Sequence, residues 1–150
     1  MGLLNRIEEL EKELLELKEQ AKEELFPQDE DKYWYVGMRG NVFSSEWEGL
    51  PSEEHMLEVG NIFKTEDEAY FKVERLKVEN ELRKLSQPFK SMTDNFIIVF
   101  DRETYKLGVK AVIFSDIQGA IYFDSTTVAE EAIESVGAER IKKYIFGMED

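Results

Sequence analysis

Cysteine is absent from this chain of 150 residues, and histidine occurs only once. Without cysteine there can be no disulfide, no thiolate nucleophile and no cysteine-ligated zinc site, and the composition fits a reducing compartment. The single histidine, His55, excludes paired-histidine metal motifs. It stands between Glu54 and Met56 with no nucleophile pattern around it, so we expect a solvated loop side chain rather than a catalytic base.

Glycine-rich phosphate loops are missing as well. No run of the Gly-x4-Gly-Lys-Ser/Thr type occurs, and Gly37 and Gly40 have hairpin spacing without the third glycine of a dinucleotide fingerprint. Glu46 and Glu48 flank Trp47, as a sugar-cleaving carboxylate pair beside an aromatic platform would, but this spacing is common on a solvent-facing strand. The sequence therefore predicts no catalytic residue, no cofactor and no metal site, and we interpret the chain as non-enzymatic.

Long apolar runs are also lacking. No stretch reaches the roughly 20 apolar residues that span a bilayer. The first residues have neither the basic region nor the unbroken apolar region of a signal peptide. We therefore expect no membrane association and a cytoplasmic location.

Positive charge is scarce, since 33 acidic residues face 19 basic ones and the net charge is −14. The excess is spread over the whole chain. Such a surface repels phosphate backbones, which disfavours direct nucleic-acid binding. It suits solubility, or a partner protein with a basic surface.

Near the N-terminus, residues 3–25 carry apolar side chains at gaps that alternate between four and three. Isoleucine at a with leucine at d favours two parallel strands of a coiled coil. In a parallel pair, g faces the next e residue of the partner, which sets Arg6 against Glu11 and Glu13 against Lys18, both attractive. The predicted dimerisation seam has three a and three d residues: Ile7, Leu14 and Ala21, and Leu3, Leu10 and Leu17.

Two other arrangements of this segment stay open. The seam covers only about three heptads, so the same residues could form one amphipathic helix that packs on the sheet of its own chain. The segment could also be a free tail. Because an isolated helix of this length is marginal in water, we expect some partner to cover the apolar stripe.

The remainder of the chain alternates strand-like and helix-like segments. We divide the sequence into an N-terminal helix (1–26), a linker around Pro27 (27–31), a first strand–helix repeat (32–90) and a second one (91–150). Strands are predicted at 32–36, 41–47, 59–63, 96–100, 108–114 and 119–123, helices at 66–85, 126–136 and 138–144, and a loop at 48–58.

The two halves match at an offset of sixty residues. Phe63 corresponds to Phe123, and Thr65 corresponds to Ser125, each of which can cap a following helix. Each half therefore reads as a β-hairpin, a short strand and a capped helix. The predicted fold class is α+β, with a duplicated β-hairpin–strand–helix unit that forms one antiparallel sheet of about six strands with both helices on one face.

The segment from Glu46 to Glu58 contains five acids and no lysine or arginine. We expect it to contact a basic partner. An aromatic residue on an open sheet face is a second kind of partner contact, although the N-terminal helix could equally cover that face. The candidate partner-binding residues are Trp34, Glu46, Trp47, Glu48, Glu53 and Glu54.

A resemblance adds context to these patterns. The run Tyr33-Trp34-Tyr35 before a turn, followed by Gly60-Asn61-Ile62-Phe63-Lys64-Thr65 leading into a helix, resembles small acidic proteins of phages and prophages of Gram-positive bacteria. The resemblance implies a phage accessory protein in the host cytoplasm, and it supplies no catalytic residues.

We accordingly expect an acidic homodimer that binds and inhibits a host protein with a basic surface, such as a component of a defence system. An anti-CRISPR or anti-restriction protein is the concrete form, because carboxylates can occupy a site that expects phosphates. Two alternatives remain: a protein that sequesters a small molecule such as a nucleotide, and a structural subunit of a phage assembly.

Overall fold

The structure is a computed structural model that describes residues 2–149, with the backbone alone described for residues 22–24. The described chain is α+β, as predicted, and it contains five helices and two small antiparallel sheets. In chain order the elements are α1 (Leu3–Glu24), β1 (Lys32–Val36), β2 (Val42–Glu46), α2 (Pro51–Glu58), α3 (Glu66–Lys84), β3 (Asn95–Asp101), β4 (Lys106–Val112), α4 (Thr126–Val136) and α5 (Ala138–Tyr144).

The chain forms two compact units, and the boundary between Tyr70 and Phe71 lies within α3. In the first unit, β1 and β2 pair as a hairpin that sets Trp34 opposite Ser44. In the second unit, β3 and β4 pair as another hairpin. The buried core of that unit consists of Val78, Leu82, Phe123, Ala129, Ala132, Val136 and Ile141.

The prediction of a single sheet with about six strands is wrong, because the described chain has two sheets of two strands each. The predicted strands at 59–63 and 119–123 are reduced to short bridges: Phe63 pairs with Trp34, and residues 122 and 123 pair with Gln87 and Phe96. Gly60 and Gly119 both adopt φ of +75°, so the chain turns just before each bridge. Only a few residues remain extended before the next helix begins.

Both helices that follow these bridges begin with a side-chain cap. The Thr65 hydroxyl accepts the N–H of Glu68 at 3.2 Å, while the Glu68 carboxylate accepts the N–H of Lys64 at 3.2 Å. The Ser125 hydroxyl accepts the N–H of Val128 at 3.1 Å. These bonds satisfy N–H groups that have no partner within the helix, and they fix where α3 and α4 start.

The prediction of a loop over residues 48–58 is also wrong, since residues 51–58 form helix α2. Pro51 occupies its first turn, where the missing N–H costs nothing. The glycine and proline around residue 50 indicated a loop, but proline just inside the start of a helix is equally a start signal.

Candidate interaction surfaces

The first candidate surface is the apolar seam of α1. Every side chain described between residues 2 and 21 is exposed, and Leu10 and Leu14 at its centre are 47 % and 52 % exposed. Helix α1 therefore does not cover the sheet of its own unit in this structure. Arg6 forms an ion pair with Glu9 at 3.2 Å within the helix, on a surface where such pairs are weak and exchange readily.

The second candidate surface is organised by a buried carboxylate. Glu53, on the first turn of α2, is 3 % exposed and accepts a hydrogen bond from the Tyr33 hydroxyl at 2.7 Å. Its other oxygen accepts the N–H groups of Glu48 at 2.9 Å and Leu50 at 3.0 Å. Trp47 packs edge-on against the Tyr33 ring, with the ring centroids 5.9 Å apart. One carboxylate therefore ties β1, the chain after β2 and α2 together.

Hydrogen bonding keeps Glu53 charged. Burial raises the pKa of Glu53, but the hydrogen bonds from Tyr33 and from backbone N–H groups outweigh burial, so the pKa lies below its ordinary value of 4.5. Burial, and then the bond to Glu53, raises the pKa of Tyr33 to about 12. Near neutral pH the pair is a neutral donor and an ionised acceptor.

The six candidate partner residues differ in solvent exposure: two are buried, one is half-buried and three are exposed. Glu53 and Trp47 are buried, at 3 % and 8 % exposure, so they position the surface instead of forming it. Trp34 is half-buried, with the Lys32 ammonium 5.0 Å above its ring. The exposed candidates are Glu46, Glu48 and Glu54.

The linker residues Glu30 and Asp31 pair through their backbone with Trp47, which lies between Glu46 and Glu48. The N–H of Glu30 donates to the carbonyl of Trp47 at 2.9 Å, and the N–H of Trp47 donates to the carbonyl of Asp31 at 2.8 Å. The linker thus runs beside the end of β2, a pairing that the sequence analysis missed because no residue pattern marks it. We call the five exposed carboxylates of this region the acidic edge: Asp29, Glu30, Glu46, Glu48 and Glu54.

The acidic edge has few basic neighbours along its own strands. Lys32 lies opposite Glu46 in the register of the hairpin. His55, at the end of α2, is exposed, and no three acidic or histidine side chains converge as metal ligands in the described part of the chain. The arrangement offers several exposed carboxylates to a cationic surface.

Comparison of the chain with protein-family models, with curated proteins and with solved structures finds no match. Among the described helices, none combines the length and the apolar character needed to cross a membrane.

Replacing Glu53 tests whether its buried hydrogen bonds stabilise the segment that carries the acidic edge. We expect Glu53→Ala to lower the free energy of unfolding by about 1–3 kcal/mol, because the buried Tyr33 hydroxyl loses its acceptor. Urea denaturation near neutral pH measures this change. Glu54→Ala removes an exposed carboxylate from the same helix and serves as the control, with an expected change within about 0.5 kcal/mol. Equal effects of the two substitutions would contradict the role assigned to Glu53.

The same carboxylate makes stability depend on pH. Because the pKa of Glu53 is lower in the folded than in the unfolded chain, its contribution is fully present above the unfolded value of 4.5. The contribution is lost as the pH falls through the lowered pKa of the folded state. The stability gap between the wild type and Glu53→Gln should therefore narrow on acidification, and a gap independent of pH would exclude an ionised Glu53.

Proposed function

We propose that this chain is a non-enzymatic interaction protein that dimerises through α1 and presents the acidic edge to a basic surface of a host protein. The concrete form is a phage-type inhibitor of a host defence system. The observation that carries the proposal is the uncovered heptad seam of α1, since a helix that exposes such a stripe gains stability when a second apolar surface covers it.

A second copy of the chain matches this seam in both apolar side chains and flanking charges. Burying a leucine or isoleucine fully contributes about 1.5–3 kcal/mol, and the seam offers five such side chains to a partner. The flanking charges also match, because a parallel partner would set Arg6 against Glu11 and Glu13 against Lys18. A non-identical partner would need to reproduce both the apolar spacing and this charge order.

We further infer that the two strand–helix repeats, residues 32–90 and 91–150, arose by duplication, which the offset of sixty residues supports. In both repeats a phenylalanine, Phe63 or Phe123, bridges the first strand of the hairpin, and a hydroxyl residue two positions later caps the next helix. The matched residues are structural, so the duplication bears on the fold and not on chemistry.

Two substitutions of the same kind test the dimer. Leu14→Glu places a charge in the seam, whereas Leu15→Glu places the same charge at position b on the outer face. The two leucines are similarly exposed in the single chain, at 52 % and 60 %, so only a partner helix distinguishes them. We expect light scattering to give a dimer for the wild type and Leu15→Glu, and a monomer for Leu14→Glu. Equal masses for both variants would rule out this seam.

The orientation of the two helices can be tested separately because the chain has no cysteine. In a parallel dimer Leu3→Cys, at d, lies beside its own copy and should oxidise to a disulfide-linked dimer. Asn5→Cys, at f, points away from the seam and should remain largely reduced. Failure of Leu3→Cys to crosslink in a protein that is still dimeric would contradict the parallel arrangement.

The acidic edge supports binding to a cationic partner. Its five carboxylates lie on a chain with a net charge of −14, so the local field adds to a general negative potential. Carboxylates presented in this way can compete with phosphates for a basic cleft, and they accelerate association with it. Dimerisation would present the edge twice, which strengthens binding to a partner that has two basic sites.

Charge reversal at three exposed positions tests the edge. We expect the triple variant Glu46→Lys, Glu48→Lys and Glu54→Lys to lose a host protein that the tagged wild type retains in a pull-down identified by mass spectrometry. The control reverses Glu130, Glu131 and Glu134, which are exposed on α4, and gives the same net charge. Glu53 is left intact, because a lysine there would disrupt the fold. Loss of the partner in both variants would indicate non-specific charge attraction.

A further inference from the structure

The second unit contains a cavity of about 200 Å³ that neither candidate surface uses. It is partly open to solvent, and α3, β3, the loop at 117–121, α5 and the residues after α5 form its walls. Among its apolar lining residues, Phe123 and Ile141 are fully buried and Leu82 is 2 % exposed. The cavity therefore extends from the surface down to the core of the unit.

Interactions outside the cavity hold two of its walls in place. The Tyr122 hydroxyl accepts the N–H of Ile117 at 2.5 Å and donates to Asp116 at 2.8 Å, which fixes the start of the 117–121 loop. On another side, Arg102 donates a hydrogen bond to the carbonyl of Phe146 at 2.8 Å. The Phe146 ring packs on the Phe100 ring, with the ring centroids 5.6 Å apart. A site whose walls are already ordered loses less conformational entropy when it binds a ligand.

The rim of the cavity is basic in a strongly acidic protein. Arg75, Glu79 and Arg83 recur every fourth residue of α3 and all three line the cavity. Arg75 pairs with Glu79 at 3.0 Å, so these two charges offset each other. Arg83 is exposed and forms no ion pair with the described residues. One uncompensated guanidinium therefore lies beside an apolar cavity, an arrangement that suits an anionic head with an apolar tail.

The volume limits what can enter. A dry apolar cavity of about 150 Å³ holds benzene, so this one has room for a single ring or a chain of about six to eight carbon atoms. Sites for drug-sized ligands usually have about 300–1,000 Å³, which argues against a nucleotide.

We propose that this cavity binds a small amphipathic carboxylic acid, with the apolar part against Phe123 and Ile141 and the carboxylate at Arg83. The ligand class is a medium-chain fatty acid or an arylacetic acid. This site is independent of the seam and of the acidic edge, because its residues all belong to the second unit.

Octanoate and its neutral analogue 1-octanol test the proposal on the full chain. Isoleucine methyl labelling with NMR detection locates the ligand, since Ile98, Ile121 and Ile141 line the cavity while Ile7 and Ile62 lie elsewhere. We expect saturable octanoate binding with a Kd at or below about 1 mM, and shifts confined to the cavity methyl groups. Absence of saturation, or shifts centred on Ile7 of the exposed seam, would overturn the proposal.

Two matched variants test the role of the guanidinium. Arg83→Gln should weaken octanoate binding by about tenfold and leave octanol binding unchanged, because it removes one charge-assisted contact. Lys84→Gln removes the same charge from the neighbouring exposed residue, which does not line this cavity, and should leave both affinities unchanged. If Arg83→Gln binds octanoate as the wild type does, or if both variants weaken it equally, Arg83 is not the anion site and the proposal fails.

Discussion

A sheet of two strands pairs each strand on one side only, so the backbone groups on the outer sides need other partners. In this chain, polar side chains supply several of these partners. The amide of Asn61 bonds both the N–H and the carbonyl of Val36, at 2.8 and 2.9 Å. In the second unit the backbone of Phe123 bonds Phe96 of β3, while the buried amide of Asn95 accepts the N–H of Lys90 before the strand and donates to the carbonyl of Val112 across the hairpin. Neither hairpin has a complete third strand, so both depend on such bonds.

The same constraint positions both sites. Glu53 satisfies backbone N–H groups in the turn that carries Glu48, and in doing so sets the outline of the acidic edge. Tyr122 satisfies the N–H of Ile117 and fixes one wall of the cavity. A buried polar group without partners is costly, so these side chains stabilise irregular backbone that no strand pairing covers.

The sequence predicted the elements that local signals determine. Strand β1 and helices α4 and α5 have the predicted bounds, because β-branched and aromatic runs, a serine cap and a glycine stop act within a few residues. Contacts between distant segments escaped prediction. The sequence pattern places Glu53 among the partner-binding carboxylates, whereas the structure buries it through a bond to Tyr33 that crosses twenty residues. The cavity escaped because its walls come from widely separated segments.

Charge separates the two proposed interfaces of the first unit. Residues 1–30 contain ten acids and four bases, so two α1 helices repel each other at long range while their seam and flanking pairs attract at contact. Added salt screens this repulsion and leaves apolar burial intact, which favours the dimer. Salt also screens the attraction between the acidic edge and a basic partner, which weakens that complex. Added salt therefore has opposite effects on the two affinities. The seam associates by burying apolar surface, whereas the acidic edge attracts a partner by Coulomb interaction across solvent.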